Sequence, residues 1–455
     1  MLHPAGANAA ELFPYGAYLL FAGSSGSTGK ELWRTNGTAT GTVQVRDIRS
    51  GSVSSNPAEL TLAGGLAYFS ADNGALGSEL WKSDATFANT VQVEDIRAGA
   101  ASSSPAGLAS LGAALLFSAE TDAEGRELWR SNGNQDDTFL LKDIRPGSAS
   151  SIRPLDEWGD RLRAVAGSYY YFVADDGASG EELWRSDGSE AGTILVKDIF
   201  SGARGSEPRS LTAVGNRLFF VADDGEHGRE VWVTDGTEAG THLVEDLIPG
   251  EGSPAPRSLT AAHGVLLFTA WDAGHGAEIW KSDGTAAGTG LLQDIAPGAA
   301  SSSPLAFTVA GPWIFFAAND GLTGFEPWVI SRAALGSALD FYTVEPCRLI
   351  DTRTAGGAIH SGTPRTIPSG SCNIPEDAVT LSVNITVLTP AASGRVVLYA
   401  AGTPTPGTST INFGAGPTRA NNALVTLGPA GLEALATLSG GGQVDIVVDV
   451  NGYFK

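Results

Sequence analysis

The 455 residues include one methionine, two cysteines and six histidines, so thiol chemistry and soft-metal ligation have few side chains to draw on. No CxxC, HExxH or GxSxG occurs, which removes the local signatures of dithiol redox centres, zinc peptidases and α/β-hydrolase nucleophiles. No run of about 18 apolar residues is present, so no membrane-spanning helix is expected. Long amphipathic helices are not evident either. Basic residues are scarce, 28 against 50 acidic, giving a net charge of −22. Eight acidic and six basic residues follow from Asp340 onward, leaving 42 acidic and 22 basic in residues 1–339. So acidic a region repels phosphate backbones, which excludes nucleic acid and anionic membranes as expected partners. The opening MLHPAGANAAELFPYG has neither the basic nor the apolar part of a secretory leader. Leu2, His3, Pro4 and Gly6 look like the tail of a repeat whose strand lies upstream.

Glycine (59) and proline (23) are plentiful and fall at regular intervals. Trp33, Trp81, Trp129, Trp184, Trp232, Trp280 and Trp328 recur with spacings of 48, 48, 55, 48, 48 and 48 residues. The clearest copy reads ADDGASGEELWRSDGSEAGTILVKDI, from Ala174 to Ile199. Each period predicts four short strands. In the fifth copy they are Ser210 to Val214, Arg217 to Ala222, Glu230 to Thr234 and His242 to Leu247, parted by GN, DDGEHG and DGTEAG turns. A period near 48 falls in the range of propeller blades, about 40 to 50 residues. A four-stranded unit cannot cover both its faces alone, whereas neighbours in a stack can. The expectation is an all-β chain: a seven-bladed β-propeller over residues 1–339, then a separate C-terminal β-sandwich-like domain over 340–455.

The ELW tryptophans are read as core wedges between blades, and the SDGT, TDGT and SNG copies as tight hairpin turns needing a positive φ. The DDGxxG and DIxPGxxSS loops are expected on one rim. Their aspartates have two uses in competition. They can cap their own turns by accepting backbone N–H bonds. Alternatively Asp175, Asp176, Asp223, Asp224, Asp272 and Asp320 supply oxygen ligands for Ca²⁺, although the spacing is not that of an EF-hand. The second loop set places Asp47, Asp95, Asp143, Asp198, Asp246 and Asp294 at the ends of fourth strands. His227 and His275 occupy equivalent places but lack a second histidine in their own loops, so no zinc site is expected. Four departures break the repeat. The second copy has WKSDATFANT from Trp81 and the third WRSNGNQDDT from Trp129. The fourth carries seven extra residues around DEWGDRLRAVAG, where Trp158, Arg161 and Arg163 form the one basic aromatic segment and an expected partner contact. The seventh lacks a fourth strand, which residues at or before Met1 are expected to supply, with Arg332 to Leu335 as the competing donor.

The motif ELWxxDGT, in register along residues 1 to about 335, resembles the ELWxxDGT repeat family of secreted bacterial proteins. From Phe341 the repeat stops. PCRLIDTR, GTSTINF, TRANNALV and the terminal VDVNGYF resemble an accessory domain found at the ends of secreted bacterial proteins. This implies a secreted or cell-surface location. Arg348, Asp351, Arg353, Arg419, Asn421 and Asn422 are its notable polar residues, read as a hydrogen-bonded brace or, alternatively, a glycan site. Cys347 and Cys372 either pair, closing a loop that contributes about 3 kcal/mol on the chain-entropy view, or remain buried thiols. The functional expectation is a non-enzymatic binding or structural protein recognising an extracellular glycan or protein through the propeller face. The alternatives are a propeller glycosidase or lyase, and a building block of an extracellular fibre or lattice. No cofactor is expected with certainty beyond the Ca²⁺ option.

Overall fold

The computed structural model describes residues 10–25, 27–153, 161–335, 341–370, 372–375, 378–428 and 430–455. Among them the only helical pieces are two short 3-10 turns, Gln135–Asp137 and Arg332–Leu335. Among the described residues no helix is long and apolar enough to cross a membrane. The chain divides into two compact units, residues 1–305 with 318–325, and residues 306–317 with 326–455.

Six consecutive repeats each form one four-stranded antiparallel sheet whose strands lie in chain order. In the fifth repeat these are Arg209–Val214, Arg217–Asp223, Arg229–Thr234 and His242–Leu243. The first three match expectation within a residue, and the fourth stops four residues early. Second strands are continuously apolar because both their faces are covered, and Phe69, Phe117, Phe172, Phe220 and Phe268 are fully buried. Each of these stands opposite the tryptophan of its own third strand, as in Phe172↔Trp184 and Phe220↔Trp232. The tryptophan then packs against the repeat before its own. Trp232 shares a core with Tyr171 and Leu183 of the fourth repeat, and Trp280 with Phe219 and Val231 of the fifth. A large rigid ring at each joint contributes much of the apolar burial, roughly 150 to 250 Å² apiece.

Two glycine positions explain the loops. Gly188 holds φ 87° in the turn between third and fourth strands, a conformation that costs an L residue about 1–2 kcal/mol. Ala85 adopts the same region, φ 68°, at the equivalent place in the second repeat. The last glycine of DDGxxG lies against the backbone of the loop entering the next repeat: a Cβ on Gly180 would sit 2.5 Å from Gly205 N, and one on Gly276 2.2 Å from Ala300 O. The two loop sets therefore meet in each of the first six repeats.

The seventh repeat forms a sheet of three described strands, Leu305–Ala310, Trp313–Asn319 and Phe325–Ser331. Arg332–Leu335 forms a 3-10 turn there and not a fourth strand; Met1 lies outside the described residues. The tail comprises two antiparallel sheets. One runs Phe341–Asp351, Gln443–Phe454, Thr380–Leu388, Arg419–Thr426, and the other Arg365–Ile367, Leu432–Leu438, Gly394–Ala400, Ile411–Phe413. Strict alternation in TLSVNITVL places Leu381, Val383, Ile385 and Val387 in the core both sheets share. Cys347 and Cys372 form a disulfide.

Candidate functional site

The loop rim is organised by a residue that sequence reasoning passed over, the glutamate of ELW. Glu31 accepts hydrogen bonds from Ile48 N (2.8 Å), Ser55 N (2.9 Å) and Ser55 Oγ (2.6 Å). The pattern recurs at Glu79 with Ile96 and Ser103, Glu127 with Ile144 and Ser151, Glu182 with Phe200 and Ser206, and Glu278 with Ile295 and Ser302. These carboxyls tie a third strand to the DIxPGxxSS loop 17 to 24 residues onward. Burial pushes Glu79, Glu127 and Glu182 up to about 7 against the lowering effect of their donors. The readable signal was a glutamate two residues before the tryptophan in every copy, with a serine 24 residues later in five of them.

The fifth repeat breaks the device. Pro254 occupies the serine position, so Glu230 receives only Leu247 N at 3.1 Å, and its Oε2 is shielded with no hydrogen-bond partner. Burial, with fewer donors to oppose it, pushes this carboxyl up to about 8.

The aspartates expected to ligate Ca²⁺ are engaged locally. Asp175 accepts Gly177 N and Arg145 Nη1, both at 2.7 Å; Asp176 accepts Ala178 N and Ser179 N at 2.8 Å; Asp223 accepts Gly225 N. Asp224 and Asp272 each accept turn amides and contact the imidazole Nδ1 of His227 (2.7 Å) and His275 (2.9 Å). Asp320 accepts Leu322 N and Thr323 N. Donation of each Nδ1–H to its carboxylate raises both histidines above their ordinary value. The six aspartates are spread over four repeats, and among the described residues no three acidic, histidine or cysteine side chains converge to hold a metal ion. In the second loop set, Oδ1 of Asp47, Asp95, Asp143, Asp246 and Asp294 is shielded without a partner.

The fourth repeat carries the largest local asymmetry. Arg163 stands in the first strand where the neighbouring copies place Leu108 and Leu211, and its Nη1 and Nη2 are both shielded and unpartnered. Its guanidinium lies over Gly107, whose carbonyl accepts the Tyr170 hydroxyl at 2.9 Å. Arg161 donates to Leu259 O in the first strand of the sixth repeat. Trp158 lies outside the described residues. Arg161 recurs 48 and 96 residues on as Arg209 and Arg257, where the second and third copies have Ala58 and Ala106. First strands lie side by side in chain order; Arg209 and Arg257 open theirs, and Arg161 lies two residues before its own. Arg209 contacts Glu207 at 3.3 Å, and Arg257 is exposed.

In the tail, Arg353 grips Asp351 through Nε (3.0 Å) and Nη2 (2.7 Å), while Arg348 reaches Asp449 at 3.0 Å and Asp351 at 3.4 Å. The Arg353 hydrogen bond holds the Asp351 carboxyl down at about 2. Only the aspartate of this brace is buried; both guanidinia are half exposed. Asn421 donates to Thr410 O, and Arg419 and Asn422 are exposed.

No family model and no curated protein matches the chain. Solved structures similar in fold include puromycin hydrolase (15% identity, TM-score 0.36, 73% of this chain and 53% of that one). A structure from a study of two prolyl endopeptidases has 10% identity and TM-score 0.40, covering 74% and 53%. The β-propeller domain of the Trilobed protease from Pyrococcus furiosus has 10% identity and TM-score 0.35, covering 71% and 95%. The chain spans about half the length of the first two. Against the expectation of a non-enzymatic binding or structural protein, these neighbours are named as a hydrolase, prolyl endopeptidases and part of a protease.

Proposed function

We propose that the repeats form a seven-bladed β-propeller followed by a β-sandwich, in a secreted chain of the ELWxxDGT repeat family, and that the propeller handles substrate for a hydrolytic enzyme acting on carboxylate-bearing peptides. The observation that carries this reading is the pair Arg209 and Arg257 opening adjacent first strands, with Arg161 two residues before the first strand of the fourth repeat, in an acidic unit. A guanidinium fork matches a carboxylate in two parallel hydrogen bonds, and cations in a negative surround localise an anionic group sharply. The rest of the reading is supported by the 48-residue period, the six four-stranded sheets and the disulfide, which suits an oxidising compartment. The peptidase names among the neighbours decide only which substrates to try first.

The test uses peptide pairs that differ in a free or amidated C-terminus, with the full-length chain. Hydrolysis of the free acids is expected at lower KM than of the amides, and Arg209→Ala with Arg257→Ala is expected to abolish that difference. Absence of turnover across the pairs, or a KM difference unchanged in the double variant, overturns the reading.

A further inference from the structure

The second unit holds a cavity of about 630 Å³, within the range that takes small organic ligands. Pro312 and Trp313, in the turn between the first two strands of the seventh repeat, form one side. Ile374, Val379 and Leu427 of the tail form another. Arg332 enters this largely apolar lining from the end of the third strand. It is 9% exposed, its Nε is shielded without a hydrogen-bond partner, and no carboxylate among the described residues pairs with it. Its backbone N donates to Pro312 O at 2.8 Å, which fixes the arginine against the turn.

A guanidinium does not give up its proton inside a protein, so neutralisation by titration is closed to it. Burial of such a charge is costly unless an anion meets it. Other arginines of the chain meet that requirement within the protein, as Arg97 does with Glu120 and Asp122 and Arg353 with Asp351. Arg332 has the burial without the carboxylate, and has a cavity beside it.

We propose that this cavity binds a small amphipathic monocarboxylate, its carboxylate on Arg332 and its apolar body against Trp313, Ile374, Val379 and Leu427. The planar fork selects carboxylate, and the uncharged remainder of the lining selects a body without further charge. Two sources share this chemistry, a medium-chain fatty acid and an apolar peptide C-terminus. The site lies in the second unit and does not depend on the function proposed for the repeats.

Calorimetric titration of the full-length chain with decanoate, with N-acetyl-leucyl-leucine and with decanol tests it. At least one carboxylate is expected to bind measurably tighter than decanol. Decanoate alone identifies the fatty-acid source, the dipeptide alone the peptide source, and both together the shared chemistry. Arg332→Met is expected to weaken the carboxylate at least tenfold and leave decanol unchanged. Ala333→Trp, at an exposed position on the cavity lip, is expected to weaken every probe and decides the matter where Arg332→Met does not fold. No carboxylate binding at millimolar concentration, affinity within twofold of the parent in Arg332→Met, or unchanged affinity in Ala333→Trp overturns the proposal.

Discussion

Pro254→Ser restores a donor pair that five other repeats possess, and the molecule supplies its own controls. The backbone already fits: the residue after the serine has φ 48° at Asn56, 47° at Ser104, 49° at Glu207 and 49° at Ser303, and Ala255 after Pro254 has 48°. A serine at 254 can therefore place N–H and O–H on Glu230 as Ser103 does on Glu79, at 2.8 and 2.5 Å. Glu230 sits at about 8 and Glu79 at about 7. That unit is worth about 1.4 kcal/mol in favour of the ionised form. Hydrogen bonds to the carboxyl in either state add about 0.5–1.5 kcal/mol each, and loss of proline's restriction on the unfolded chain subtracts about 0.4–1 kcal/mol. The net expectation is a gain of about 1.5–4 kcal/mol at pH 8.5 and less at pH 5. The sign follows from linkage. A carboxyl whose folded value lies above its unfolded value gives stability that is complete below about 4.5 and lost as pH climbs through the folded value. For Glu230 that loss ends near 8 in the parent, and the substitution moves it toward 7. Amide exchange at Leu247, whose N–H is the one bound by Glu230, reads the effect locally and is expected to slow about tenfold at pH 8.5. Equal or faster exchange, or a gain of the same size at both pH values, refutes the reasoning.

Ala85→Gly relieves a left-handed alanine at the second repeat's hairpin and is expected to stabilise it by about 1 kcal/mol in urea unfolding. Reduction of Cys347–Cys372 is expected to lower the stability of the tail by about 3 kcal/mol, seen as a shift of its urea midpoint with and without reductant. Asp351→Asn removes a carboxylate held at about 2, whose stabilisation is present above about 3.8 and lost as pH falls through about 2. The parent tail is therefore expected to weaken toward pH 2, and the variant to be weaker at pH 6 with a flatter acid limb, by circular dichroism across pH.

Strand positions in the repeats were legible because period and turn chemistry agree at every copy, and Arg217–Asp223 differs from its prediction by one residue. The fourth strand was read too long for a definite reason. LVEDL looks like continuing β structure, but the Leu247 amide goes to Glu230, and the ladder ends with Val244 N bound to Val231 O. The side chain of Glu230, 17 residues away, thus takes the Leu247 amide that local propensity assigns to the strand. Arg163 was flagged from sequence as a local basic residue; its unpartnered nitrogens over Gly107 depend on how neighbouring first strands lie side by side. Arg332 was read as a strand donor because the seventh copy lacks its fourth strand. Its burial beside a cavity depends on tail residues some 40 to 95 positions later, which no local pattern announces.

Each ELW glutamate spans from one repeat to the segment that leads into the next, so it couples neighbours as well as bracing a loop. In a linear array, cooperativity is set by such nearest-neighbour terms, and the weakest one decides where the array parts. The joint after the fifth repeat keeps its tryptophan core but has lost two of the three carboxyl contacts found at the first three joints. Under force or alkaline conditions it is the expected seam along which the repeats separate into two blocks, residues before Asp246 and residues after Pro256.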